Sequence, residues 1–92
     1  MKVQGEYILR KIAGDYVIIP SGKTTSAVQG LLTLNEVEAE LWQMLQKEVT
    51  YDEMLRRILE MYDVDENTAK EDIQDFLDIL TEAGILDKSG EQ

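Results

Sequence analysis

Carboxylates are the side chains of this sequence numerous enough for acid–base or metal chemistry: nineteen Asp and Glu stand against nine Lys and Arg, with no His and no Cys. Paired carboxylates can act as general acid and base, and clustered ones can hold a hard cation. Their spacing points elsewhere. Asp63, Asp65 and Glu66 form the tightest group, and they lack the Asp-x-Asp-x-Asp-Gly order of a calcium loop. Helix capping and solubility account for them. The glycines give neither a phosphate-binding loop nor a dinucleotide fingerprint. Absence of Cys and His removes disulfides, thiol nucleophiles, most zinc sites and the usual neutral-pH base. The expectation is a non-enzymatic chain with no cofactor and no metal.

One acidic pattern is more specific. Ala69, Ile73, Phe76, Leu77 and Leu80 recur at helical spacing as a buried face, and beside them Asp72, Asp75, Ile79 and Glu82 form a second stripe at steps of three and four. An isoleucine flanked by acids makes a shallow apolar spot rimmed by negative charge, suited to an amphipathic peptide with basic residues. The alternative is a lone exposed isoleucine, which is common on protein surfaces.

The element carrying this stripe is a helix expected from Glu66 to about Ala83, capped by Asp65 and closed by Gly84, with Ile85 and Leu86 folding back on its last turn. A second helix starts at the capping box Thr50-Tyr51-Asp52-Glu53, and Tyr51, Met54, Leu55, Ile58 and Tyr62 share one face. A first helix starts at Glu36, with Asn35 as N-cap and Glu38 as its capping-box partner. Val37, Leu41, Met44 and Leu45, widened by Trp42, give it a core-facing stripe.

Upstream the pattern is of β type. Residues 6–12 and 16–19 are β-branched and aromatic and flank Ala13-Gly14-Asp15, which predicts a hairpin, and Ile19-Pro20-Ser21-Gly22 suits a β-turn. A third strand is expected over Thr24–Gln29, which is polar enough to sit at a sheet edge, or to be an ordinary loop. Leu31-Leu32-Thr33-Leu34 would then lead into the first helix. An uncovered edge presents unpaired N–H and C=O groups and either risks aggregation or binds another strand.

Ninety-two residues make one domain, 1–92, expected to be ordered over about 6–86, with room for a surface site rather than a deep pocket. No apolar run approaches the roughly 18 residues that would cross a bilayer, and the first residues lack a signal-peptide core, so a cytoplasmic chain with no membrane partner is expected. Charge divides the chain. Residues 1–34 carry four cations and two acids, a balance of +2, whereas residues 35–92 carry five cations and seventeen acids, a balance of −12. The fold class expected is α+β, winged helix-turn-helix-like: a three-stranded antiparallel β-meander followed by three α-helices. Such folds often read DNA with the third helix. Here residues 65–82 hold seven acids against Lys70, a balance of −6, which phosphates would repel, so no nucleic-acid partner is expected.

Leu34-Asn35-Glu36 followed by Ala39, Leu41-Trp42 and Leu45 resembles the Leu-Asn-Glu…Ala-x-Ile-Trp-x-Leu-Leu signature of the pyrroloquinoline quinone biosynthesis protein D (PqqD) family. Thr50-Tyr51-Asp52-Glu53-Met54 is similar to the start of that family's second helix, Tyr62-Asp63-Val64-Asp65 to its inter-helix loop, and Phe76-Leu77 with Gly84-Ile85-Leu86 to its closing segment. The resemblance covers about residues 6–86. It implies a recognition element for ribosomally synthesised, post-translationally modified peptides, a chaperone that holds the leader segment of a precursor peptide and presents its core to a modifying enzyme, often a radical S-adenosylmethionine protein. In that family the leader adds as a strand beside the third strand and packs on the third helix. Carried onto this sequence, that implies a peptide-binding site of Thr25, Ser26, Ala27, Val28 and Gln29 on the strand and Asp72, Asp75, Phe76 and Ile79 on the helix. Two readings of other classes compete: a winged-helix transcriptional regulator, which needs more basic surface than Arg10, Lys11 and Lys23 supply, and a structural interaction subunit whose open edge forms a homodimer.

Overall fold

A computed structural model of the chain describes residues 1–22 and 32–87. In chain order the elements are β1 (Lys2–Val3), β2 (Tyr7–Ile12), β3 (Asp15–Pro20), β4 (Leu32–Leu34), α1 (Glu36–Met44), α2 (Tyr51–Met61), α3 (Glu66–Glu82) and β5 (Leu86–Asp87).

The hairpin forms where the sequence calls for it. β2 and β3 pair antiparallel from Ile12↔Asp15 to Tyr7↔Pro20. The two connecting residues, Ala13 and Gly14, have φ of 52° and 87°, the left-handed pair of a type I′ turn whose twist matches the strands. In such a hairpin the pair flanking the turn exchanges both hydrogen bonds, and bonded pairs then alternate along the ladder. Ile12/Asp15, Arg10/Val17 and Ile8/Ile19 are therefore the bonded pairs, in phase with Ser21 N–H donating to Glu6 O at 3.0 Å. Pro20, opposite Tyr7, falls in a non-bonded position, so its missing N–H costs β2 nothing.

β4 pairs antiparallel with β3 on its other side, giving sheet order β2-β3-β4 with Leu34 opposite Tyr16 and Leu32 opposite Ile18. The third strand of the described sheet is thus Leu32–Leu34, inside the segment expected only to lead into the first helix. The expected strand at Thr24–Gln29 lies outside the described residues. Leu32 is half-buried, Thr33 exposed and Leu34 buried, the period-2 alternation of an edge strand with one face on the core. Three residues are too few for that period to stand out in sequence.

All three helices start at the expected caps. Asn35 and Glu38 bond reciprocally at 2.8 and 2.9 Å, and Thr50 and Glu53 do so at 3.1 and 2.9 Å. Asp65 Oδ1 accepts from Thr68 N–H at 2.9 Å. At the far end of α3, Gly84 (φ 78°) reverses the chain so that Ile85 N–H donates to Leu80 O at 2.9 Å, and Ile85 and Leu86 are buried. Leu41, Trp42, Leu45, Met54, Ile58, Ile73, Phe76, Leu77 and Leu80 join the three helices in one core. Tyr7 meets Trp42 edge-on, with ring centroids 5.3 Å apart and planes at 89°, which fixes the sheet against α1.

Met1 and Val3 belong to this core, while Lys2, Gln4 and Gly5 are exposed. Val3 pairs with Leu86 in the small β1–β5 ribbon, its N–H donates to Leu45 O at 2.9 Å, and Met1 and Val3 are buried. Two-residue strands whose partner lies over 80 residues away leave no local signature.

Candidate peptide-binding site

A groove of about 300 Å³ lies between the start of α1 and the outer face of α3, lined by Asn35, Val37, Glu38, Asp72, Asp75 and Ile79. Three of the four helix residues expected at the site therefore share one cavity. Steps of three and four along α3 stack Asp72, Asp75 and Ile79 on one side of the helix. Ile79 is 44% exposed, the open apolar residue of the groove, and Val37 is half-buried across from it. The reciprocal capping bonds hold Asn35 and Glu38 rigidly in the opposite wall.

Phe76, the fourth expected helix residue, is 1% exposed and packs in the core. It belongs to the inward face of α3, with Ile73, Leu77 and Leu80, and has no open surface to offer a ligand in the free protein. Its part is to fix α3 from behind. The expected strand residues Thr25, Ser26, Ala27, Val28 and Gln29 lie outside the described residues.

Asn35, Val37 and Glu38 were read from sequence as cap and core only. The groove they complete arises from the crossing of two helices distant in sequence, so its signal was the pairing of an acidic, valine-bearing helix start with the acidic stripe of α3. Backbone phase adds one more group. Tyr16/Leu34 and Ile18/Leu32 are bonded pairs and Val17/Thr33 is not, so the N–H and C=O of Thr33 point away from β3. No strand pairs with β4 on that side among the described residues. Asn35, which lines the groove, directly follows β4.

The groove is electronegative. Glu38, Asp72 and Asp75 contribute three carboxylates, and no lining residue is a cation. Lys70, the cation of α3, is turned to Glu66 at 3.0 Å, and the hydrogen bond it donates to this carboxylate raises its pKa above the ordinary lysine value. A second depression, about 370 Å³ along α2, differs in kind: Glu48, Glu53 and Glu60 are interleaved with Arg56 and Arg57, so its charges largely offset one another. Among the described residues no group of three or more carboxylates is arranged to hold a metal ion, and no helix is long and apolar enough to cross a membrane.

The family model for Coenzyme PQQ synthesis protein D (PqqD) matches residues 15–86. The chain belongs to the PqqD family. Every segment on which the sequence resemblance rests within residues 34–86 falls inside that span, as do β3, β4, the three helices and all six groove residues. Among solved structures, TbiB1 in complex with the TbiA(beta) leader peptide shares the fold of this PqqD-family chain, with a TM-score of 0.71 and 24% identity over 95% of each chain. Comparison with curated proteins gave no match. The three-stranded antiparallel sheet followed by three helices is the winged helix-turn-helix-like arrangement expected of the family.

Proposed function

We propose that this chain is a non-catalytic binder of the leader segment of a ribosomally synthesised precursor peptide, which it holds for a modifying enzyme such as a radical S-adenosylmethionine protein. The leader adds as a strand along the outer edge of β4, with Thr25–Gln29 as further contacts, and lays its inward side chains on α3. Backbone pairing supplies affinity that tolerates sequence change, and the groove supplies selectivity. Ile79 gives the apolar contact, Asp72 and Asp75 attract basic residues, and Phe76 supports the wall from within. The observation that carries this reading is the acid-rimmed groove next to the end of a strand on whose outer side no strand pairs among the described residues. Membership of the PqqD family supports it, as does a shared fold with a protein solved in complex with a leader peptide.

The test is calorimetry with synthetic N-terminal segments of the short open reading frames beside the gene. Saturable one-to-one binding of one segment, lost on Thr33→Pro, is the expected result. Failure of every such segment to bind would overturn the reading.

A further inference from the structure

We infer that the peptide accepted by the groove carries a Lys or Arg two positions from an aliphatic residue, both turned toward α3. This rests on the strand-addition reading and names the class of peptide it selects. The phase of the sheet sets the spacing. A guest residue directly opposite Thr33 projects its side chain to the same face as Thr33, the exposed one. The residues before and after it project to the face of Leu32 and Leu34, where Leu34 is buried against the helices. Those two guest side chains are about 6.8 Å apart.

The groove presents two different surfaces at a similar separation. Along α3, with about 1.5 Å of rise per residue, Ile79 lies about 6 Å beyond Asp75 and about 10 Å beyond Asp72. One inward guest side chain therefore meets the carboxylates of Asp72 and Asp75, with Glu38 across the groove, while the other meets Ile79 and Val37. A guest acid at the first position would join three carboxylates with no lining cation to offset it. A guest Lys or Arg there is complementary, and its long stem can cover apolar surface while the charged head stays in water. At the second position a charged residue would leave Ile79 without an apolar partner. Guest positions facing outward meet neither surface and are free in sequence.

The experiment uses a phage-displayed library of random twelve-residue peptides, panned at low salt on the purified chain, followed by synthesis of the most enriched sequence. Enriched peptides are expected to share Lys or Arg two positions from Ile, Leu, Val or Met. An exposed ion pair is worth about 1.4- to 5-fold in affinity. The variant carrying both Asp72→Asn and Asp75→Asn should therefore bind the synthetic peptide about 2- to 25-fold more weakly, and bind its cation-to-Ala version as tightly as the unaltered chain does. Circular dichroism checks that the variant is folded. Enrichment without that spacing, or an equal loss for both peptides, overturns the inference while leaving strand addition standing if Thr33→Pro still abolishes binding. No enrichment at all overturns both. Enrichment of the stated pattern with no effect of Thr33→Pro or Ile79→Ala assigns the peptide to another surface and overturns the inference too.

Discussion

Replacing Ile79 by alanine removes the apolar contact of the groove with little disturbance to the helix that carries it. Ile79 is 44% exposed, so a bound peptide can remove at most that share of its surface from water. Fully burying an isoleucine side chain is worth about 1.5–3 kcal/mol, and 44% of that is about 0.7–1.3 kcal/mol, or about 3- to 9-fold in Kd. Alanine is the best helix former, which offsets part of the packing lost on the buried side of the residue. Calorimetry against a leader peptide at fixed salt reads the change, and a thermal melt confirms the fold. Ile12→Ala is the matched control, because Ile12 is 50% exposed but lies beside the hairpin turn and does not line the groove. A change of less than twofold for Ile79→Ala, or an equal change for Ile12→Ala, would refute the assignment of the groove.

Thr33→Pro removes the one described N–H of β4 that points outward without touching its bonds to β3, so leader binding should fall below detection while the melt shifts by only a few degrees; retained binding would place the guest strand elsewhere. Ala13→Asn puts a residue tolerant of positive φ at 52°, and should stabilise the hairpin by about 0.5–1 kcal/mol, raising Tm by about 2–8 °C by calorimetry. Thr50→Ala breaks the capping box of α2 and should cost about 1 kcal/mol in urea unfolding, with the slope unchanged. Backbone N–H donation from Thr50 and from Thr68, aided by their hydroxyls, holds the Glu53 and Asp65 carboxyls below their ordinary values of 4.5 and 3.8. A depressed folded pKa stabilises above the unfolded value and ceases to do so as pH falls through the folded one. Melts should therefore decline from about pH 5 downward, and Asp65→Asn should flatten that decline; an identical pH profile would show the cap to be silent.

The helices were legible because their signals are local. Asn35/Glu38, Thr50/Glu53 and Asp65 lie three residues from the N–H groups they satisfy, so each start can be read from a tetrapeptide. The hairpin was legible for the same reason, the short glycine-bearing stretch Ala13-Gly14-Asp15 between two apolar runs, of which Asp15 proved to pair with Ile12. β4 was not, because what makes Leu32–Leu34 a strand is pairing with Tyr16–Ile18, and three residues of alternation are indistinguishable from the approach to a helix. The β1–β5 ribbon depends wholly on contacts between the two ends of the described chain. Such pairing costs loop-closure entropy before it contributes stability, and only the assembled core of Met1, Val3, Ile85 and Leu86 offsets that cost.

The site divides along the same line. Asp72, Asp75 and Ile79 were readable because a single helix displays them, whereas Asn35, Val37 and Glu38 became groove residues only through the way α1 crosses α3. Phe76 was read from periodicity as part of the buried face and from the family resemblance as a site residue; its burial agrees with the periodicity, because a step of one from Asp75 turns a side chain by about 100° around the helix. The acidity of the helical part ties these together. A balance of −12 over residues 35–92 is far more charge than one groove requires, and spread over the surface it acts before contact, drawing a cationic peptide toward the whole helical face and speeding encounter in a salt-dependent way. Backbone pairing acts only after contact and is nearly indifferent to salt. Added salt should therefore slow association of a basic leader with this chain while leaving its dissociation rate almost unchanged, and stopped-flow measurement at two ionic strengths separates the two contributions; a salt effect confined to dissociation would mean that the carboxylates act only as contacts.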